Sequence, residues 1–262
     1  MNSGNSLQPF KKLEFANASG AVLAGHLDLP ASGQPFAYAL FAHCFTCTKN
    51  LKAAVNVSRA LTRDGVAVFR FDFTGLGESG GDFSHTNFSS NVQDLIQAAR
   101  FLESRFEGPK MLIGHSLGGA AVLQAAEAIP SAAAVVTIAA PSNPGHVLKL
   151  LESTREQIES RGEADVMLAG RKFKIRKQFL DDLAGASMAE AIRRLNRALL
   201  IFHAPTDSVV GIENAGEIFQ AARHPKSFVS LDRADHLLSD PADSRYVGSV
   251  IAAWARKYVA AD

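Results

Sequence analysis

Residues 111–129, MLIGHSLGGAAVLQAAEAI, contain the turn on which the reading of the whole chain depends. Met111 to Ile113 has the composition of a strand end, Gly114 and Gly118 flank Ser116, and Ala120 to Ala128 has the composition of a helix. A buried strand that turns sharply into a helix, with glycines where backbones crowd, lifts a serine hydroxyl to the carboxyl edge of a sheet. The same G-x-S-x-G letters recur in GESGG at 77–81, so the letters alone decide nothing. That second copy follows the turn-like DFTGL and runs into the polar GDFSHTNFSS, which reads as a loop with Ser79 in a structural role.

Outward from this turn, short apolar runs alternate with longer amphipathic stretches, the pattern of helices packed on both faces of a mainly parallel sheet. The spacing predicts strands over 21–29, 36–43, 66–71, 110–114, 133–139, 198–203 and 226–231, and helices over 50–63, 88–105, 116–129, 212–222 and 242–260. Residues 142–197 break the rhythm, because a crossover needs only one helix. They open with PSNPG and contain DVMLAGRKFKI, two short strands around Ala169-Gly170, flanked by helical stretches near 146–160 and 186–196. The expectation is one α/β domain over 1–262, with 142–197 inserted as a cap.

The bulk composition bounds the partner. At 262 residues and 47% apolar content the chain suits one large core, and 27 Lys and Arg balance 26 Asp and Glu. Such a balance offers no general field for nucleic acid or an anionic membrane and directs attention to a small molecule. MNSGNSLQPFKK lacks the features of a secretion signal, and no apolar run is long enough to span a bilayer, so a cytoplasmic enzyme is expected. Two cysteines make no disulfide scaffold, which fits a reducing compartment.

A serine hydroxyl needs a base, and the base needs an orienting acid. In ALLIFHAPTDSVV, Asp207 lies just past the strand 198–203; in SFVSLDRADHLLS, His236 lies just past 226–231. Ser116, Asp207 and His236 thus fall at strand ends, in the order that a strand–turn–helix nucleophile requires. Asp232 and Asp235 are nearer to His236 in sequence, but neighbours on an irregular loop rarely point at each other, so Asp207 is preferred. His203 reads as a buried structural partner of Asp207, His115 as packing, and His26, His85, His146 and His224 as surface or capping residues.

With these pieces assembled the chain resembles the α/β-hydrolase superfamily over its whole length, through HCFTCTKN, FDFTGLGES, GHSLGG, HAPTDSVV and ADHLL. FAHCFTCTKN, RFDFTGLGES, AGRKFKIRKQFLDDL and HPKSFVSLDRADHLL are similar to the hydrolase half of bacterial proteins that join such a domain to an OsmC-type peroxidase, although this chain ends at WARKYVAAD. In its loop and cap it is also similar to cinnamoyl and feruloyl esterases. The resemblance implies a serine esterase acting through an acyl-enzyme, with no metal or organic cofactor. It further implies an oxyanion hole from the backbone N–H of Leu117 and, on aligning His43-Cys44-Phe45 with the family's His-Gly-X, that of Phe45; Cys44 then stands where most relatives have Gly.

C-x-x-C at Cys44 and Cys47 otherwise signals a redox dithiol or a zinc site. No second Cys/His cluster completes a zinc site, and the motif lies in a loop where a thioredoxin-like dithiol would open a helix. The thiols therefore read as packing or tuning groups; a second reading keeps a redox role, in which oxidation joining Cys44 to Cys47 distorts the hole and acts as an off-switch. Phe173 and Phe179, with Ile175 and Leu180, are candidates for an acyl or aromatic pocket. Arg171, Lys172, Lys174, Arg176 and Lys177 read as a solvated hairpin face. The expected substrates are small to medium carboxylic esters, and a homodimer is compatible with this reading. The alternatives are a thioesterase, amidase or lipase-like enzyme with the same three residues, or a C-x-x-C redox or non-catalytic module.

Overall fold

The computed structural model describes residues 10–168, 170–185 and 188–259. Its main sheet takes strands β1 (Phe10–Ala16), β2 (Val22–Asp28), β3 (Ala37–Ala42), β4 (Val66–Phe71), β5 (Met111–His115), β6 (Ala134–Ile138), β9 (Ala198–His203) and β10 (Lys226–Ser230), ordered β1-β2-β4-β3-β5-β6-β9-β10. β1 pairs antiparallel with β2, and β2 with β4; all later neighbours are parallel. Every residue of β3, β4, β5, β6 and β9 is buried, which explains their mostly apolar, non-alternating sequences: parallel strands covered on both faces have no solvent side to alternate towards.

Helices α1 (Lys52–Arg63) and α8 (Pro241–Val259) pack together on one face, while α2 (Phe88–Arg105) and α3 (Leu117–Ala125) cover the other. α7 (Glu213–Ala221) lies between β9 and β10 in sequence. Each face has its own apolar core, one built around Phe69, Phe71 and Leu112, the other around Phe41, Ile113 and Phe202.

The sheet agrees with the sequence reading except at its first edge. β1, FKKLEFA, was not anticipated, because five of its seven side chains are exposed and Phe15 alone is buried, leaving a weak alternation signal. Its two lysines suit a sheet margin that must resist further pairing.

Between β6 and β9 the chain forms a 3₁₀ segment (Pro144–Leu151), α4 (Glu152–Arg161), the strands β7 (Glu163–Leu168) and β8 (Arg171–Arg176), α5 (Lys177–Gly185) and α6 (Met188–Arg193). β7 and β8 make an antiparallel hairpin outside the main sheet. Ala169, part of the helical stretch expected near 186–196, the last residue of the helix expected over 242–260, and the residues before Phe10 lie outside the described residues. α5 escaped the sequence reading because its buried face consists of only Phe179, Leu180 and Leu183 in a highly charged stretch. The segment is tied to the sheet side by Ser89, whose N–H and Oγ donate to the Asp182 carboxylate at 2.8 and 2.5 Å. No helix among the described residues is long and apolar enough to cross a membrane.

Candidate active site

β5 ends at His115, and Ser116 turns the chain into α3 with φ 55° and ψ −127°. A non-glycine residue in this region costs roughly 1–3 kcal/mol and persists only where the surroundings over-determine it. Here the Ser116 N–H donates to the Ile138 carbonyl of β6 at 2.8 Å, and its own carbonyl accepts from Gly119 N–H at 2.8 Å. Two close approaches require glycine. A Cβ on Gly114 would lie 2.2 Å from the Gly118 carbonyl oxygen, and one on Gly118 would lie 2.5 Å from the carbonyl oxygens of Ala42 and His43. The start of α3 therefore rests on the backbone that leaves β3.

Asp207 and His236 arrive from the carboxyl ends of β9 and β10. His236 Nε2 lies 3.0 Å from Ser116 Oγ, and His236 Nδ1 lies 2.8 Å from Asp207 Oδ2. The other Asp207 oxygen accepts the N–H groups of Val209 and Val210 at 2.8 and 2.9 Å. Burial raises the Asp207 pKa, but the hydrogen bonds from His236, Val210 and Val209 outweigh it and hold the carboxyl below its usual value. With Asp207 fixed to Nδ1, the Nε2 lone pair is left for the serine proton. Asp232 instead accepts from Ser230 Oγ at 2.7 Å, and Asp235 from Ser239 N–H at 2.8 Å. His203 is buried and meets the Val210 carbonyl at 2.7 Å, bracing the loop that carries Asp207.

The loop after β3 holds the other expected group. Cys44 and Cys47 are joined as a disulfide, with a Cα–Cα separation of 5.3 Å, which replaces the free thiols of the sequence reading. The bridge coexists with the 3.0 Å serine–histidine contact, so closing it does not pull these residues apart. Among the described residues neither Phe45 N–H nor Leu117 N–H has a hydrogen-bond acceptor, and both residues line one small apolar cavity of about 10 Å³ with His43 and Gly118. Free donors at these positions are what a developing oxyanion requires.

The far end of the loop is clamped. Asp72, which follows β4, accepts from Lys49 N–H at 2.6 Å, from Lys49 Nζ at 2.5 Å and from Glu78 N–H at 2.9 Å. Arg70 donates to the Lys49 carbonyl and pairs with Asp28 at 2.7 Å. Ser79 Oγ donates to the Asp72 carbonyl at 2.5 Å and accepts from Ala24 N–H at 2.9 Å, so the second G-x-S-x-G is a structural turn. His43, fully buried, has its pKa pushed down to about 4 by burial, against its contact with the Cys44 carbonyl and the nearby Asp72 carboxylate.

Of the pocket candidates, Phe179 is buried with its ring 5.3 Å from that of Phe45, while the ring of the partly buried Phe173 lies 4.9 Å from that of Phe83, tilted by 57°. Ile175 and Leu180 are buried in the same core. Within the basic cluster, Lys172 pairs with Asp165, Lys174 and Arg176 with Glu163, and Lys177 with Asp181. Arg171 differs: it donates to the Thr46 carbonyl, linking the hairpin to the disulfide loop, where Thr46 holds φ 63°. The sequence reading missed the Lys49–Asp72 clamp and this link. The lysine beside C-x-x-C and the aspartate after a buried strand were visible, but nothing in one dimension pairs them. Among the described residues no group of three His, Cys, Asp or Glu side chains could hold a metal ion.

Residues 39–260 match the model of the alpha/beta hydrolase family. The chain is 54% identical to the esterase domain of a Rhodothermus marinus protein, with a TM-score of 0.79 over 96% of this chain and 99% of that one. Est1E from Butyrivibrio proteoclasticus, solved with ferulic acid bound, has the same fold at 19% identity, with a TM-score of 0.79 over 95% of this chain and all of its own (100%). The mitochondrial palmitoyl-protein thioesterase ABHD10 of Rattus norvegicus is 25% identical over 211 residues, 78% of this chain and 70% of its own length. A mostly parallel eight-stranded sheet, a strained serine between β5 and α3, and a family match reaching from β3 to the last helix lead to one assignment: the chain belongs to the alpha/beta hydrolase family.

Proposed function

We propose that the chain is a serine carboxylic-ester hydrolase acting on small to medium acyl or aromatic esters. The observation that carries this reading is the continuous path from Ser116 Oγ to His236 at 3.0 Å and from His236 to Asp207 at 2.8 Å. Ser116 Oγ attacks the ester carbonyl while His236 Nε2 takes its proton, and Asp207 holds the ring and stabilises the imidazolium. The N–H groups of Phe45 and Leu117 receive the oxyanion. His236 returns the proton to the leaving alcohol, then draws one from water as its oxygen attacks the acyl carbon, and gives that proton to Ser116 Oγ as the Oγ–acyl bond breaks and the acid leaves.

The segment from 142 to 197 acts as a cap and shapes the acyl side. Phe173, partly buried, meets the substrate, and Phe179 acts through the Phe45 ring. The esterase domain of Rhodothermus marinus supports the ester reading, and Est1E with ferulic acid supports an aromatic acyl group. A second reading, thioester cleavage, is favoured by the likeness to palmitoyl-protein thioesterase ABHD10.

Labelling by a fluorophosphonate probe and turnover of p-nitrophenyl, hydroxycinnamoyl and acyl-thioester panels test both readings. Ser116→Ala should abolish labelling and lower turnover by about 10⁶-fold. Retained labelling in that variant would remove Ser116 from the mechanism, and a preference for thioesters would select the second reading.

A further inference from the structure

We propose that His115 is a positioning residue for His236, holding the backbone of the base in register with the serine that follows His115 in the chain. The inference rests on the reading of Ser116, Asp207 and His236 as the reacting triad. His115 is the last residue of β5, its side chain is buried, and its Nε2 lies 2.7 Å from the carbonyl oxygen of His236, 121 positions away. A carbonyl can only accept, so Nε2 carries the proton and donates. Burial pushes the His115 pKa down to about 4, with the neighbouring His236 acting in the same direction, so the ring is neutral at ordinary assay pH and Nδ1 is bare.

That bare Nδ1 has no hydrogen-bond partner among the described residues. A side chain kept only to fill space would do so better as leucine, without an unsatisfied nitrogen in the core. The nitrogen that does bond is aimed at one target. Residues 231–240, which carry His236, form an irregular loop in which Leu238 holds φ 51°. Among the described residues the His236 carbonyl takes no other hydrogen bond. Asp207 fixes the His236 ring from one side, and His115 fixes its peptide from the other, with ring centroids 5.2 Å apart. The strand that delivers the nucleophile thus also sets the depth at which the base stands, a placement to which proton transfer is sensitive.

The test compares wild type, His115→Leu and His115→Gln for kcat and KM on a p-nitrophenyl ester, for the rate of fluorophosphonate labelling, and for thermal midpoint. His115→Leu should lower kcat and labelling rate together by about 10- to 100-fold, with KM unchanged and the midpoint maintained. His115→Gln, whose amide N–H can reach the same carbonyl, should recover most of that loss. If both folded variants keep wild-type kcat, or if both lose midpoint and kcat in parallel, His115 only packs and the proposal falls. A change confined to KM would also overturn it. Should His115→Leu not fold, His115→Met supplies the donor-free comparison; if neither donor-free variant folds while His115→Gln does, a core-packing role replaces the proposal. Failure of the underlying triad reading is separate: it shows as a wild-type protein that neither labels nor turns over.

Discussion

Lys49 and Asp72 meet at 2.5 Å with both side chains closed to solvent. Removing two charges from water offsets much of their attraction, so such a pair contributes little net stability, yet breaking it strands a charge in the core. What the pair does structurally is hold the end of the disulfide loop, since Asp72 also accepts the Lys49 N–H. Lys49→Met should therefore destabilise the fold by about 3–5 kcal/mol in urea titration, more than Lys49→Arg.

Asp207, and not the nearer Asp235, should carry the rate. Asp207→Asn removes the acceptor that fixes the tautomer and should lower kcat by about 10⁴-fold. Asp235→Asn disturbs the local hydrogen bonds from Ser239 and the Leu237 backbone and should leave kcat near wild type. Steady-state kinetics on the two purified variants decides between them, and the reverse order would reassign the acid.

The disulfide should favour activity, the opposite of the off-switch that is the second reading of the C-x-x-C spacing. Cys44–Cys47 brackets Phe45, the proposed oxyanion donor, and is present with Ser116 and His236 in contact. Reduction should loosen that donor and lower kcat by about tenfold, less than the loss of a whole donor. Turnover before and after a phosphine reductant, with thiols titrated in parallel, measures the effect. A Cys44→Ala/Cys47→Ala variant should start low and ignore the reductant.

Acid should weaken the fold over a defined window. His43 and His115 have native pKa values lowered from 6.5 to about 4 by burial, so between these values the unfolded chain binds more protons than the native one. Stability is then complete above about pH 6.5 and falls as pH drops towards about 4, each histidine accounting for on the order of 3 kcal/mol. Asp207, held below its ordinary value, adds its loss only at still lower pH. Urea midpoints across this range should drop steeply for wild type and less steeply for His115→Gln.

The parts of this molecule legible in its sequence are those that depend on local composition. The buried parallel strands announce themselves as apolar runs, and Asp207 and His236 follow β9 and β10 closely enough for chain order to find them. β1 was missed because an edge strand with one buried side chain has almost no periodicity. His115 was read as packing because its bond to the His236 carbonyl spans 121 positions. Lys49 and Asp72, 23 positions apart, likewise become partners only when β3 and β4 lie side by side. The C-x-x-C spacing allows either free thiols or a bridge, and only the loop that brings the two Cα atoms to 5.3 Å decides for the bridge.

Phe45 packs its ring between Phe83 at 5.7 Å and Phe179 at 5.3 Å while its backbone supplies the proposed oxyanion donor. Pocket redesign and turnover are therefore not separable here. A substitution at Phe179 meant to widen the proposed acyl side removes a surface on which Phe45 rests, and any gain in substrate range should come with a slower chemical step. Variants selected for bulky esters should accordingly carry compensating changes in the Cys44–Lys49 loop.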